Sequence, residues 1–276
     1  DHLLPFSPNN GDDFFKMAGV KFWYDGSPYT GSMYLNESFK SSTVNQEKIH
    51  VPPDHTGKAL WNNDEIANRI KRYDSVGWQV AIHTQGDRAI SETLDAFEKS
   101  GIPKNSRHRL EHCLLPSKKD IQRMSKLGVS PSFHINHLWY YGEALEDYII
   151  GRERTDKILP LKAAENNSLI FSLHADQPMF ESDPLSLLHT SVNRKTRDGK
   201  IVGKSNKISV EQGLKSLTIN AAWQIKMENK IGSIKPGKYA DFVVIDQNPM
   251  MVDPDKIKDI HVLQTIVNGN IIYKNN

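Results

Sequence analysis

The sequence predicts an α/β fold: parallel βα units of a barrel type, followed by a small β unit at the C-terminal end. Three observations predict it. Short apolar runs alternate with segments of helical period through the middle of the chain. Several of the helical segments open on a capping residue and close on glycine. Beyond about residue 230 the texture changes to turn residues and short β-prone runs.

The elements follow in order. Val20 to Tyr24 predicts a strand that ends at Asp25-Gly26-Ser27. Residues 26 to 60 are polar, aromatic and irregular, as expected of a lid or binding segment, or of a partly disordered one. Asp64 is placed to cap a helix whose Ile66, Ile70 and Tyr73 share one face and which stops at Gly77. Trp78 to Ile82 is the next buried strand, and Ile90, Leu94 and Phe97 mark the helix after it, with Gly101 past its end. Arg107 to His112 reads as a strand. Ser117 and Asp120 form a capping-box pattern ahead of Ile121, Met124 and Leu127. Val129 to Phe133 and Leu169 to Leu173 continue the strand series, with Pro131 weakening the first of them. Ser209 with Gln212 is a second box pattern, opening a helix that carries Leu214, Leu217 and Ala221. Asp241 to Asp246 is a strand, and Val262 to Tyr273 is a hairpin turning at Asn268-Gly269. Residues 1–230 are therefore expected to form the barrel-type domain and 231–276 the β unit.

With 38% hydrophobic and 25% charged residues the chain can bury a core, and a net charge of +2 with scattered cations argues against nucleic acid or a membrane surface as partner. No apolar run is long enough to span a bilayer. The single cysteine, Cys113, excludes an intramolecular disulfide and a thiolate cluster, and it slightly favours a reducing, cytoplasmic setting. The opening Asp1-His2-Leu3-Leu4-Pro5 lacks both an initiator methionine and a signal pattern, so the compartment stays open.

Chemistry in such folds gathers at the C-terminal ends of the parallel strands. Lys21, His83, His112 and Asp176 each occupy such a position, each from a different strand. Imidazole and carboxylate at one point suit a divalent metal, zinc among them. Each residue taken alone also has a structural reading: strand-end histidines are commonly structural, lysines pair with carboxylates, and Asp176 before Gln-Pro can start a turn. His108, His134, His137 and His174 compete as ligands, and spacing does not rank them.

The order of motifs resembles a known family. Gly19-Val20-Lys21 through Asp25-Gly26-Ser27 is followed by Ala81-Ile82-His83-Thr84-Gln85-Gly86-Asp87-Arg88, and then by Arg107-His108-Arg109-Leu110-Glu111-His112. Ser132-Phe133-His134-Ile135-Asn136-His137, Phe171-Ser172-Leu173-His174-Ala175-Asp176-Gln177-Pro178 and Ser191-Val192-Asn193-Arg194 come next. Ile231-Gly232-Ser233-Ile234-Lys235-Pro236-Gly237-Lys238-Tyr239-Ala240-Asp241 closes the series. The set resembles the YtcJ-like branch of the metal-dependent amidohydrolases, which includes N-substituted formamide deformylases.

The resemblance implies a (β/α)8 barrel, present here from about its fourth strand, with a β-sandwich built from both ends of the chain. It implies hydrolysis of amide, formamide or cyclic C–N bonds at one or two divalent metal ions, with zinc the expected metal. His83 and His112 match the metal ligands, and Lys21 matches a lysine that is carboxylated in some members. Asp176 matches the proton shuttle. The aromatic stretch His137-Leu138-Trp139-Tyr140-Tyr141, above all His137 and Tyr140, and separately Arg194, are candidates to contact a small amide substrate. The family's His-x-His pair is missing from these residues, so the chain is expected to be a fragment, inactive or metal-poor alone, that either needs its missing part or buries its open edges in an oligomer. A non-catalytic binding or regulatory role is the alternative. Schiff-base chemistry at Lys21 is a third reading.

Overall fold

The computed structural model describes residues 6–12 and 14–275. The reading of Asp1 to Pro5 lies outside them. A five-stranded sheet dominates: β1 Gly19–Trp23, β2 Gln79–Thr84, β3 Arg109–His112, β4 Ser130–His134 and β5 Ser172–His174. The strands are all parallel and lie side by side in chain order. Helices α1 Asn63–Ser75, α2 Asp87–Ser100 and α3 Lys118–Leu127 alternate with the first four strands, as successive βα units require. After β4 come α4 Asn136–Ala144 and the short α5 Arg152–Thr155 and α6 Leu161–Asn166. Beyond β5 come α7 Pro184–Asn193, α8 Val210–Leu217 and α9 Ile219–Gln224. A three-stranded antiparallel sheet of β6 Phe242–Ile245, β7 Val262–Val267 and β8 Asn270–Lys274 ends the chain.

The helix-facing side holds the core. Val80, Ile82 and Leu110 pack with Ile66, Ile70, Ile90, Leu94, Phe97, Ile121 and Met124 in one buried cluster. Several element boundaries differ from expectation for local reasons. The cap of α1 is Asn62, which accepts from Glu65 N at 2.9 Å while Glu65 accepts from Asn62 N at 3.1 Å; Asp64 lies inside the first turn and pairs with Lys99. Ser117 and Asp120 make the expected reciprocal box. Ser209 accepts from Gln212 N, but the helix it opens breaks at Thr218 (φ −127°, ψ −94°) into α8 and α9. Pro131 does not weaken β4. It is paired with Leu110 of β3 but precedes the β4–β5 ladder, which begins at Ser132↔Ser172, so its missing N–H costs no bond to β5.

The long segment 26–60 has little regular structure but is well anchored. Met33 and Leu35 are fully buried, and Phe39 and Val51 nearly so. Asn36 is held by Asp87 at the start of α2, and Lys40 Nζ donates to the carbonyl of Asp147 at 2.6 Å. At Gly86 the chain passes so close that a Cβ would stand 1.8 Å from the Tyr34 carbonyl oxygen. Segment 26–60 therefore packs as a fixed cover along the C-terminal edge of the sheet. Among the described residues no helix is long and apolar enough to cross a membrane.

Candidate metal centre

Strand alternation sends one set of side chains away from the helices. In register across the sheet, Lys21 lies beside Ala81 and Arg109, and Trp23 beside His83, Glu111, Ser132 and Ser172. His134 is paired with His174 at the next level. His112 breaks the pattern. Alternation puts it on the helix side with Leu110, yet its ring lies 4.4 Å from that of His83, 5.1 Å from His174 and 5.6 Å from His134. Backbone conformation explains the reversal: His112 and Cys113 take φ of 72° and 45°, in the left-handed region that non-glycine residues seldom adopt. His137 joins from the first turn of α4, its ring 4.1 Å from His134. An open cleft of about 700 Å³ runs along this face, with Glu111, Ser132 and His174 on one side and Phe242 and Val243 of the second sheet on the other.

The residues present fit a metal ion. His112 has both ring nitrogens buried without a hydrogen-bond partner, and His134, His137 and His174 each have an unpartnered Nε2. Unpaired buried polar atoms cost about 1–3 kcal/mol each, so a cluster of them is expensive unless something occupies it. Two sets of ligand atoms lie within 4.8 Å of one another: His112, His134 and His137, and His112, His174 and Asp176. Burial is the main cause that holds the imidazoles neutral. It brings His83 down to about 4 and His174 down to about 3, and it depresses His112, His134 and His137 well below the ordinary value. Neutral imidazole is the form that binds metal. Burial raises the Asp176 carboxyl, and the charge of Lys21 opposes that rise.

A match to the amidohydrolase family model extends over residues 3–273, nearly the whole chain. The chain belongs to the amidohydrolase family. It is 26% identical over 245 residues to an N-substituted formamide deformylase of Arthrobacter pascens, covering 88% of this chain and 45% of that protein. To the putative amidohydrolase YtcJ of Bacillus subtilis (strain 168) it is 24% identical over 269 residues, covering 95% and 48%. The chain thus spans about half the length of the curated relatives it matches. An uncharacterized metal-dependent hydrolase from Pyrococcus horikoshii OT3 superposes with a TM-score of 0.77 at 24% identity, over 90% of this chain and 48% of that one, which shows a shared fold.

Within the chain the residues singled out by the sequence fall into two groups. His83, His112 and Asp176 come together. Lys21 is exposed on the edge strand β1, 5.8 Å from the Trp23 ring, and its charge acts on His83, His174 and Asp176. His137 is in the cluster. Tyr140 is 40% exposed and stacks on Phe180, which in turn lies 5.4 Å from His134, so it stands at the rim. Trp139 turns the other way and meets His189 edge-on. Arg194 does not serve a substrate: it is fully buried, and its guanidinium donates to the carbonyls of Val202, Leu159 and Ile158 at 2.9–3.0 Å. His108 is removed from the competing ligands. It precedes the start of β3, where its Nδ1 accepts from Val80 N and its Nε2 stands 3.2 Å from Asp74.

Two residues of the site escaped the sequence reading. In the sequence Asp25 reads as part of a turn, yet its buried carboxylate accepts from the backbone N–H groups of Tyr34, Gln85 and Gly86 and stands 3.8 Å from His83 Nε2. Burial pushes it up to about 7 against those three hydrogen bonds. Tyr29 places its hydroxyl 2.5 Å from His137 Nδ1. Nothing local marks Tyr29, since its partner lies 108 residues away.

Proposed function

We propose that the protein is a metal-dependent hydrolase of C–N bonds in small amides, formamides or cyclic amides. The observation that carries this reading is the convergence of neutral histidines with Asp176 at the C-terminal edge of a parallel sheet. Five strands in chain order suit the fourth to eighth strands of a (β/α)8 barrel, and the three-stranded sheet suits one part of a composite sandwich. His83 and His112 hold the metal, for which zinc is the best fit, with Lys21 as a further ligand once carboxylated. When bound, such an ion supplies Lewis acidity toward a carbonyl and lowers the pKa of water.

The chain's own groups do the rest. Asp176, whose carboxyl is raised by burial against the opposing charge of Lys21, takes a proton from the attacking water and passes it to the leaving nitrogen. Asp25 holds the β2–α2 turn through Gln85 N and Gly86 N, and thereby positions His83. Tyr140 and Phe180 form an aromatic wall at the rim, where an apolar N-substituent can lie. Incubation of the zinc-loaded protein with N-substituted formamides and cyclic amides, followed by amine release, tests the reading. Asp176→Asn is expected to lower turnover by at least about 100-fold, in line with loss of a general acid–base group. Unchanged turnover in that variant rejects the shuttle, and no release from any of these substrates rejects the C–N assignment.

A further inference from the structure

We propose that His112, His134 and His137 form a three-imidazole zinc position, separate from the His83–His112–Lys21 position of the proposed hydrolytic centre. The two positions draw on the same His112, so a single ion occupies one or the other. The proposal concerns metal binding alone and stands whether or not the protein hydrolyses amides.

Four observations carry it. The three ligand atoms lie within 4.8 Å of one another, and all three residues are at most 2% exposed. Zn–N bonds of about 2.0–2.1 Å in tetrahedral geometry put nitrogens roughly 3.3 Å apart, so side-chain rotations of about an ångström close the set. Local structure brings two of them together: the chain enters α4 directly from β4, so His134 and His137 stand one helical turn apart with rings 4.1 Å from each other. Their outward nitrogens are engaged. His137 Nδ1 meets the Tyr29 hydroxyl at 2.5 Å, and His134 bonds the Ala175 backbone. That leaves Nε2 of both without a partner, beside a His112 that has none at either nitrogen. A ligand histidine whose other nitrogen is oriented by a hydroxyl or carbonyl is the arrangement that metal sites use.

Three neutral nitrogens with no carboxylate suit zinc and leave a fourth position for water or another small donor. Packing encloses the set: Phe180 lies 5.4 Å from the His134 ring, and Tyr141 lies 4.2 Å from Tyr29. An ion here withdraws His112 from the other position, so it also sets how much metal that position can hold.

Zinc titration of the metal-stripped protein by calorimetry, with cobalt(II) absorption as a second probe of ligand geometry, tests the proposal. His134→Gln and His137→Gln are each expected to weaken zinc at least about tenfold, and Tyr29→Phe by about tenfold, the range seen when a ligand's orienting partner is lost. His83→Gln, which removes a ligand of the other position only, is expected to retain zinc binding through His112, His134 and His137. Wild-type affinity in His134→Gln or His137→Gln overturns the proposal, as does loss of binding in His83→Gln or no zinc binding by the wild type. Should a variant fail to fold, X-ray absorption of the zinc-loaded wild type decides: three imidazoles without carboxylate support the site, and a carboxylate-containing shell overturns it. Hydrolysis assays are separate: zinc bound through His134 and His137 leaves this proposal standing whether or not amides are cleaved.

Discussion

Replacement of Arg194 by methionine removes a cation that ties three segments together. The guanidinium donates from Nε to Val202 O, from Nη1 to Leu159 O and from Nη2 to Ile158 O, which joins the end of α7 to the turns before α6 and after residue 201. Methionine fills much of the same volume but donates nothing, so the carbonyls of Ile158 and Val202 lose their guanidinium donor and that of Leu159 keeps only Leu161 N. Hydrogen bonds to a charged group contribute about 1.5–3 kcal/mol each. Part of that is offset by the cost of burying the cation, a cost visible in its pKa, which burial brings down to about 9. The net loss should be about 3 kcal/mol. For a chain of 276 residues, an unfolding entropy of about 2.1 cal/mol/K per residue converts this to a fall in Tm of about 5 °C. Scanning calorimetry and urea unfolding read the change. An unaltered Tm together with weaker binding of anionic substrates would refute the argument and return Arg194 to the substrate site.

Three further outcomes are expected. His108 is buried and pushed down to about 4, so the folded state holds it neutral while the unfolded chain protonates near 6.5; stability from this residue is present at pH 7 and is lost as pH falls toward 4. The loss between pH 7 and 5 is about 2 kcal/mol, and urea midpoints should show it shrinking in His108→Gln relative to wild type. Gly86→Ala drives a methyl against the Tyr34 carbonyl, which is backbone and gives way only by moving segment 26–60. A stability loss of about 1–3 kcal/mol and faster proteolysis within that segment are expected, and an unchanged cleavage pattern counts against the close packing. Zinc at about 100 times its Kd should stabilise the stripped protein by about 2.7 kcal/mol, a rise in Tm of roughly 5 °C that a chelator reverses; a flat titration contradicts metal binding at the histidine cluster.

Much of the architecture was legible in the chain because its signals are local. The sequence placed the five parallel strands to within about three residues at each end, and Ser117 with Asp120 announced α3 through contacts made within one turn. Where two local options competed, the sequence could mislead: Asn62 and Asp64 are both good caps, and only Asn62 has Glu65 at the reciprocal position. Pro131 looked disruptive because the start of the neighbouring strand could not be seen.

By itself the sequence determined the family's order of motifs and the strands that bring in Lys21, His83, His112 and Asp176, although Lys21 lies in the middle of β1 and not at its end. Only the tertiary structure decided which histidines face one another. His112 reaches the cluster through a left-handed backbone that contradicts strand alternation, and His137 is oriented by Tyr29 from 108 residues away. His108 and Arg194, which looked equally eligible, are tied up in bonds with Asp74 and Val80 and with three backbone carbonyls. Residue type and spacing record what a side chain can do. Long-range contacts and the few strained dihedrals fix where it points, and neither is written in any local pattern.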